Sequence, residues 1–186
     1  MGVWLISAMD RMEDMPTTMI RQLAAPDAAA FSALRREVTA DDPVPMGLTL
    51  EEELTRPLGG FREQLSFPEP NAAFGAFIGS ELVGTAAIAW TSKFASSRHK
   101  VTLWGTFVSP RYRRRGLARA LVARAIARAR ANGVRRINLT VFLPNEPALQ
   151  LYQSLGFVVC GAEPEAVRIG DTYHDGQFMS LLLNAD

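Results

Sequence analysis

The chain is poor in the residues that would tie it to a metal, a disulfide framework or a membrane. Of 186 residues only one is cysteine, Cys160, and only two are histidine, His99 and His174. A single cysteine excludes an internal disulfide, and no Cys/His grouping has zinc-like spacing, so no metal is expected. Long hydrophobic runs are also missing. Gly2 to Ala8 is apolar but short, lacks a basic leader and is followed by Asp10, Arg11, Glu13 and Asp14. It reads as neither a transmembrane span nor a signal peptide. With Met9, Met12, Met15 and Met19 close behind, residues 1–16 read as a disordered leader or an overextended start, and residues 17–186 as one domain. There is no internal repeat, low-complexity tract or linker. A composition of 48% hydrophobic and 21% charged residues is that of a soluble globular protein, not a disordered or collagen-like one. The expected setting is reducing and cytoplasmic, without a membrane partner.

Net charge is also nearly absent, at +1, which by itself argues against nucleic acid and acidic membrane surfaces. The distribution is uneven, however. Arg111 to Arg136 contains ten of the chain's 20 Lys and Arg residues and no Asp or Glu, so the remainder sums to −9.

Periodicity predicts one mixed α/β domain with strand, helix, strand at its centre. A first strand spans Thr17 to Leu23, and Pro26-Asp27 opens a helix through about Val38. Asp41 to Pro45, with two prolines, is a loop. Thr49 and Glu52 form a capping-box pattern for a second helix, which Pro57 and Gly59-Gly60 interrupt before Phe61 to Leu65. Apolar runs from Ala72 to Trp90 flank Gly79-Ser80 as in a hairpin. Lys100 to Val108 is a fourth strand. Leu117, Leu121, Val122, Ala125, Ile126 and Ala129 recur at helical spacing, and Asn132-Gly133 ends that helix. Arg136 to Leu143 is a fifth strand, Pro147 to Leu155 a short helix, and closing strands lie near Phe157 to Cys160 and Tyr173 to Leu183. Cys160, beside Val158 and Val159, is expected to be a buried, inert thiol. Trp90, Phe94 and Trp104 are expected in the core or a pocket wall, and Arg124 and Arg128 on a solvated helix face.

The chemistry gathers where the fourth strand empties into Arg111-Tyr-Arg-Arg-Arg-Gly116 and a helix begins. Free N–H groups at a helix start attract anions, Gly116 permits close approach, and Arg113, Arg114 and Arg115 add charge. A phosphate or pyrophosphate suits this turn. Neither the P-loop pattern nor the Rossmann fingerprint is present. What stands there instead is Arg113-x-x-Gly116-x-Ala118. This resembles the acyl-coenzyme A loop, Gln/Arg-x-x-Gly-x-Gly/Ala, of the GCN5-related N-acetyltransferase superfamily. A second block, Asn145-Glu-Pro-Ala148-Leu149-Gln-Leu151-Tyr152-Gln-Ser-Leu155-Gly156-Phe157, is similar to the same superfamily's later motif. The ending from Asp171 to Leu181 is similar to members that acetylate ribosomal proteins or general amines.

That resemblance implies a three-layer α/β/α fold, a mostly antiparallel mixed sheet with a central parallel pair formed by the fourth and fifth strands. It implies acetyl-coenzyme A as acetyl donor and direct transfer to a primary amine of a small molecule or protein. Main-chain N–H groups from Arg113 through Arg114, Arg115, Gly116, Leu117 and Ala118 to Arg119 would hold the pyrophosphate. Backbone of Phe107 and Val108 would pair with the pantetheine, which Asn145 would touch. A β-bulge near Gly105 and Thr106 would aim an N–H at the thioester carbonyl. Tyr152 would protonate the departing thiolate, a role that suits a phenol still protonated at neutral pH. Relatives often carry a Glu base on the fourth strand, and Val101 to Phe107 has no carboxylate. Water relayed through Thr106, a backbone carbonyl, or a residue on the acceptor side such as Glu51, Glu52, His174 or Asp175 would substitute. That absence keeps a second reading open, a non-catalytic acyl-coenzyme A sensor. A nucleic-acid module is a third and lesser one, because no recognition-helix motif or stacking aromatic series accompanies the arginines. Homodimerisation is expected by resemblance only.

Overall fold

A computed structural model describes residues 18–90 and 92–183. The proposed leader, residues 1–16, lies outside the described residues. The elements in chain order are β1 (Thr18–Gln22), α1 (Ala28–Asp41), α2 (Leu50–Thr55), α3 (Leu58–Gln64), β2 (Ala72–Ile78), β3 (Glu81–Ala89), β4 (Lys100–Val108), α4 (Leu117–Ala131), β5 (Arg136–Phe142), α5 (Glu146–Gln153), β6 (Val158–Ile169) and β7 (Thr172–Leu182). The strands form one sheet in the order β1-β2-β3-β4-β5-β7-β6. Only the β4–β5 pair is parallel; the remaining neighbours are antiparallel.

Helices cover the sheet on both faces, which gives the expected three layers. On one side α1 and α3 bury Phe31, Leu34, Val38 and Phe61 against Leu23, Phe77 and Leu82. On the other, α4 turns its apolar stripe, Leu121, Val122, Ala125 and Ala129, onto Val83, Ile88, Val101, Leu103 and Ile137. Ala, Leu and Arg are strong helix formers, and Arg128 and Arg130 in the last turn of α4 complement its dipole. The α1–α2 junction is locked by a buried ion pair: Arg35 Nε and Nη2 donate to Glu53 Oε1 and Oε2, both at 2.8 Å.

Several boundaries differ from the sequence reading for local reasons. The capping box at Thr49 forms, with Glu52 N–H donating to Thr49 Oγ1 and Thr49 N–H to Glu52 Oε2. Gly59 and Gly60 do not interrupt a helix; they lie inside α3, where fully buried Phe61, edge-on to Phe31, offsets their weak propensity. β6 runs on to Ile169 because β7 pairs with it throughout, and a register shift between Glu163 and Val167 accommodates Pro164.

The coverage is unequal. β6 and part of β7 leave Val158, Val159, Phe178 and Leu182 exposed, and Cys160 is an exposed free thiol rather than a buried one. Its apolar neighbours imply burial, but among the described residues no helix covers that part of the sheet. Phe94 is likewise exposed, at 65%, while Trp90 and Trp104 pack partly against the two cores. Arg128 is not simply solvated: it bonds Glu69 and Gln22. Among the described residues no helix is long and apolar enough to cross a membrane.

Candidate functional site

The site begins where β4 and β5 part. Their parallel pairing covers only Lys100–Thr102 against Arg136–Asn138; from there to Val108 the β5-facing edge of β4 has no strand partner. On its other edge β4 carries one extra residue, since Thr85 opposes Phe107 while Ala87 opposes Trp104. Gly105 within this bulge has φ +61°, a left-handed conformation that glycine adopts without strain. Its carbonyl accepts from the buried Thr85 hydroxyl at 2.8 Å, which pins the bulge.

The divergence opens a cleft of about 740 Å³ between β4, the start of α4 and α5. Thr106, Phe107 and Val108 form one wall, and Asn145, Leu151 and Tyr152 face them. At its outer end the chain turns through Arg114, with φ +61°, and Gly116, with φ +77°. A Cβ on Gly116 would meet nothing within 4 Å, so glycine is needed there for its backbone conformation, not for room. The first α4 bond runs from Ala120 N–H to Gly116 O, which leaves the N–H groups from Arg114 to Arg119 free for an anion among the described residues, whereas Arg113 N–H donates to Pro110 O at 3.5 Å.

The arginines of the turn are not equivalent. Arg113 donates through Nη2 to Asp41 at 2.8 Å and through Nε to Val108 O at 3.1 Å. That carbonyl is one of the backbone groups expected to meet pantetheine. Arg114 lines the cleft and forms no ion pair among the described residues. Arg115 does not line it; its guanidinium sits 5.3 Å from the Tyr112 ring centroid. Arg119 lines the cleft but is tied to α5, donating to Ser154 Oγ at 2.7 Å. Leu117 turns its side chain into the core, and Ala118 packs partly against it.

Tyr152 is buried, 7% exposed, with its ring edge-on to Phe157 at 5.6 Å. Burial pushes its phenol above the ordinary tyrosine range, and the neighbouring Thr106 hydroxyl acts in the opposite direction. The phenol is therefore protonated at neutral pH. Asn145 caps α5, its Oδ1 accepting from Ala148 N–H at 3.2 Å while the residue lines the cleft.

No acidic or proline side chain that lines the cleft was singled out by the sequence reading. Asp42 and Pro45, from the α1–α2 connection, line the cleft, as do Pro144 and Pro147 beside Asn145. Glu37, which accepts from Ser109 Oγ at 2.6 Å, and Asp41 bring α1 carboxylates to the basic turn. The run Glu37 to Asp42 opposite a segment of charge +10 was the available signal. Of the substitute bases, none of Glu51, Glu52, His174 and Asp175 lines the cleft. Glu52 is held in the capping box, whose Thr49 N–H lowers its carboxyl. Asp175 Oδ1 accepts from Glu165 N–H, and His174 Nδ1 meets Leu143 O at 2.9 Å.

Known proteins share this architecture. Residues 33–157 match the model of the acetyltransferase (GNAT) family. Over 95 residues the chain is 35% identical to the L-amino acid N-acyltransferase MnaT of Escherichia coli K12; the match covers 51% of this chain and 54% of that protein, about half of each. Among solved structures, a GNAT-family acetyltransferase from Streptococcus pneumoniae superposes with a TM-score of 0.76 at 27% identity, over 90% of this chain and 100% of that one. The phosphinothricin acetyltransferase of Sinorhizobium meliloti, solved in complex with acetyl-coenzyme A, gives 0.75 at 19% identity over 90% and 89%. With a bulged fourth strand, a left-handed turn before a helix and a buried tyrosine at the cleft, all within or beside the matched span, the chain belongs to the acetyltransferase (GNAT) family.

Proposed function

We propose that the protein transfers the acetyl group of acetyl-coenzyme A directly to a primary amine. The observation that carries this reading is the convergence, on one cleft, of an unpaired β4 edge, free helix-start N–H groups and a protonated, buried phenol. Backbone N–H groups from Arg114 to Arg119, with the Arg114 guanidinium, hold the pyrophosphate. The open edge at Phe107 and Val108 adds the pantetheine as a strand would be added, and Asn145 meets it from α5. The bulge at Gly105 and Thr106 directs a backbone N–H to the thioester carbonyl and stabilises the oxyanion as nitrogen attacks. The C–N bond forms, the C–S bond breaks, Tyr152 Oη gives its proton to the thiolate, and the proton shed by the amine leaves through water.

The E. coli relative is an L-amino acid N-acyltransferase, so amino-acid α-amines head the acceptor panel, ahead of polyamines and peptide N-termini. Acetyl-coenzyme A consumption with mass detection of the acetylated product is the assay. Tyr152→Phe is expected to lower kcat by about 10²-fold or more while calorimetry shows unchanged acetyl-coenzyme A affinity. Full turnover by that variant would overturn the acid role. Binding of acetyl-coenzyme A without turnover on any amine would instead favour a sensor.

A further inference from the structure

The bulge of β4 presents a polar group that the fold leaves unsatisfied. Trp104 and Phe107 both pack toward the α1-side core, although they stand three residues apart where strand alternation requires an even number. The extra residue absorbs the mismatch, and Thr106 is set against the cleft wall beside Tyr152. Its Oγ1 is buried and has no hydrogen-bond partner among the described residues. Other hydroxyls around the site are matched: Thr85 Oγ1 donates to Gly105 O, Ser109 Oγ to Glu37 and Ser154 Oγ to Leu151 O. A buried hydroxyl is costly when it is left unpaired, so one retained at the centre of a cleft calls for a partner there. The adjacent phenol is that partner in waiting, since the two hydroxyls influence one another without closing a bond of standard geometry.

We infer that Thr106 is the positioning residue of Tyr152: its hydroxyl donates to the phenolic oxygen, so that the phenol's own proton points at the departing sulfur. The inference rests on the acid role proposed above for Tyr152. Thr106 keeps its proton throughout. As the C–S bond breaks and the phenol proton passes to sulfur, the Thr106 hydrogen bond stabilises the phenolate left behind. The phenol is reprotonated through water by the proton that the amine releases, which balances the step. Burial alone makes Tyr152 a reluctant acid, and the Thr106 hydroxyl is the group on this chain that offsets it. The titratable groups sharing the cleft with the phenol are Asp42 from the α1–α2 connection, Tyr112, Arg113 and Arg114 from the turn, Arg119 on α4 and Glu146 on α5. None of them is a cause of the phenol's shift.

The test uses the full chain, acetyl-coenzyme A and the best amine found in the panel. Thr106→Val is expected to lower kcat about tenfold or more, with KM for acetyl-coenzyme A unchanged within about twofold. Activity requires protonated Tyr152 and falls as pH rises through its pKa, so losing the hydroxyl should move the alkaline limb of kcat to higher pH. Thr106→Ser is expected to restore both rate and limb; Thr106→Ala carries the same test if the valine variant does not fold. A wild-type alkaline limb in the valine or alanine variant, a change in KM alone, or a serine variant as slow as valine would overturn the inference. Tyr152→Phe is measured alongside. If it turns over normally, the acid reading fails and Thr106 falls with it; if it is slow while Thr106→Val keeps the wild-type profile, only the Thr106 inference fails.

Discussion

From Lys100 to Leu103, β4 is enclosed: β3 lies along one edge, β5 pairs with the other through Thr102, and Val101 and Leu103 are buried under α4. From Trp104 to Val108 the same strand has β3 alone, carries an extra residue and borders the cleft. The chemistry of the residues hardly changes along it. What changes is the occupancy of the second edge, because a backbone whose N–H and C=O groups are already paired has nothing to offer a ligand. One end of β4 is therefore closed on both edges, and the other keeps an edge open to the cleft.

Substitutions at the two ends should separate these roles. The largest effect is expected at Gly105→Ala. A left-handed backbone costs a residue with a side chain roughly 1–2 kcal/mol, and relaxing it displaces the adjacent N–H proposed to meet the oxyanion. The expected loss is about 10²–10³-fold in kcat, as for removal of one oxyanion donor, with a far-ultraviolet spectrum like wild type. At the enclosed end Ile137→Val, opposite Val101 and fully buried, should cost about 0.5–1.5 kcal/mol of stability in urea titration and leave kcat unchanged. Equal rate losses at both ends would erase the distinction. The smallest effect concerns the turn beyond the open end. Asp41→Asn frees Arg113 and removes a negative charge from the phosphate site, so acetyl-coenzyme A should bind about two- to fivefold tighter by calorimetry. Weaker binding would mean that Asp41 positions Arg113 rather than competes for it.

How much of this was legible depended on the range of the interaction. β4 was read at its observed bounds because Pro110 and β-branched alternation mark it locally, and the basic turn before α4 was legible because Gly116 and the arginines are contiguous. The Arg113–Asp41 and Ser109–Glu37 contacts each join residues 72 positions apart, and no local pattern encodes such a meeting. Cys160 was misplaced for a related reason. Apolar neighbours argue for burial only if something covers the strand, and coverage is a property of helix placement. Thr106 was noticed as a water relay, but its lack of a partner becomes visible only once the bulge has a geometry.

Most of the cleft's lining comes from two short runs of chain, β4 through the start of α4 and Pro144 to Tyr152, whereas Asp42 and Pro45 come from a connection far away in sequence. That connection can therefore change in sequence without altering either run. The Arg113–Asp41 pair, at the end of α1 where the connection begins, is a place where such an exchange would be felt.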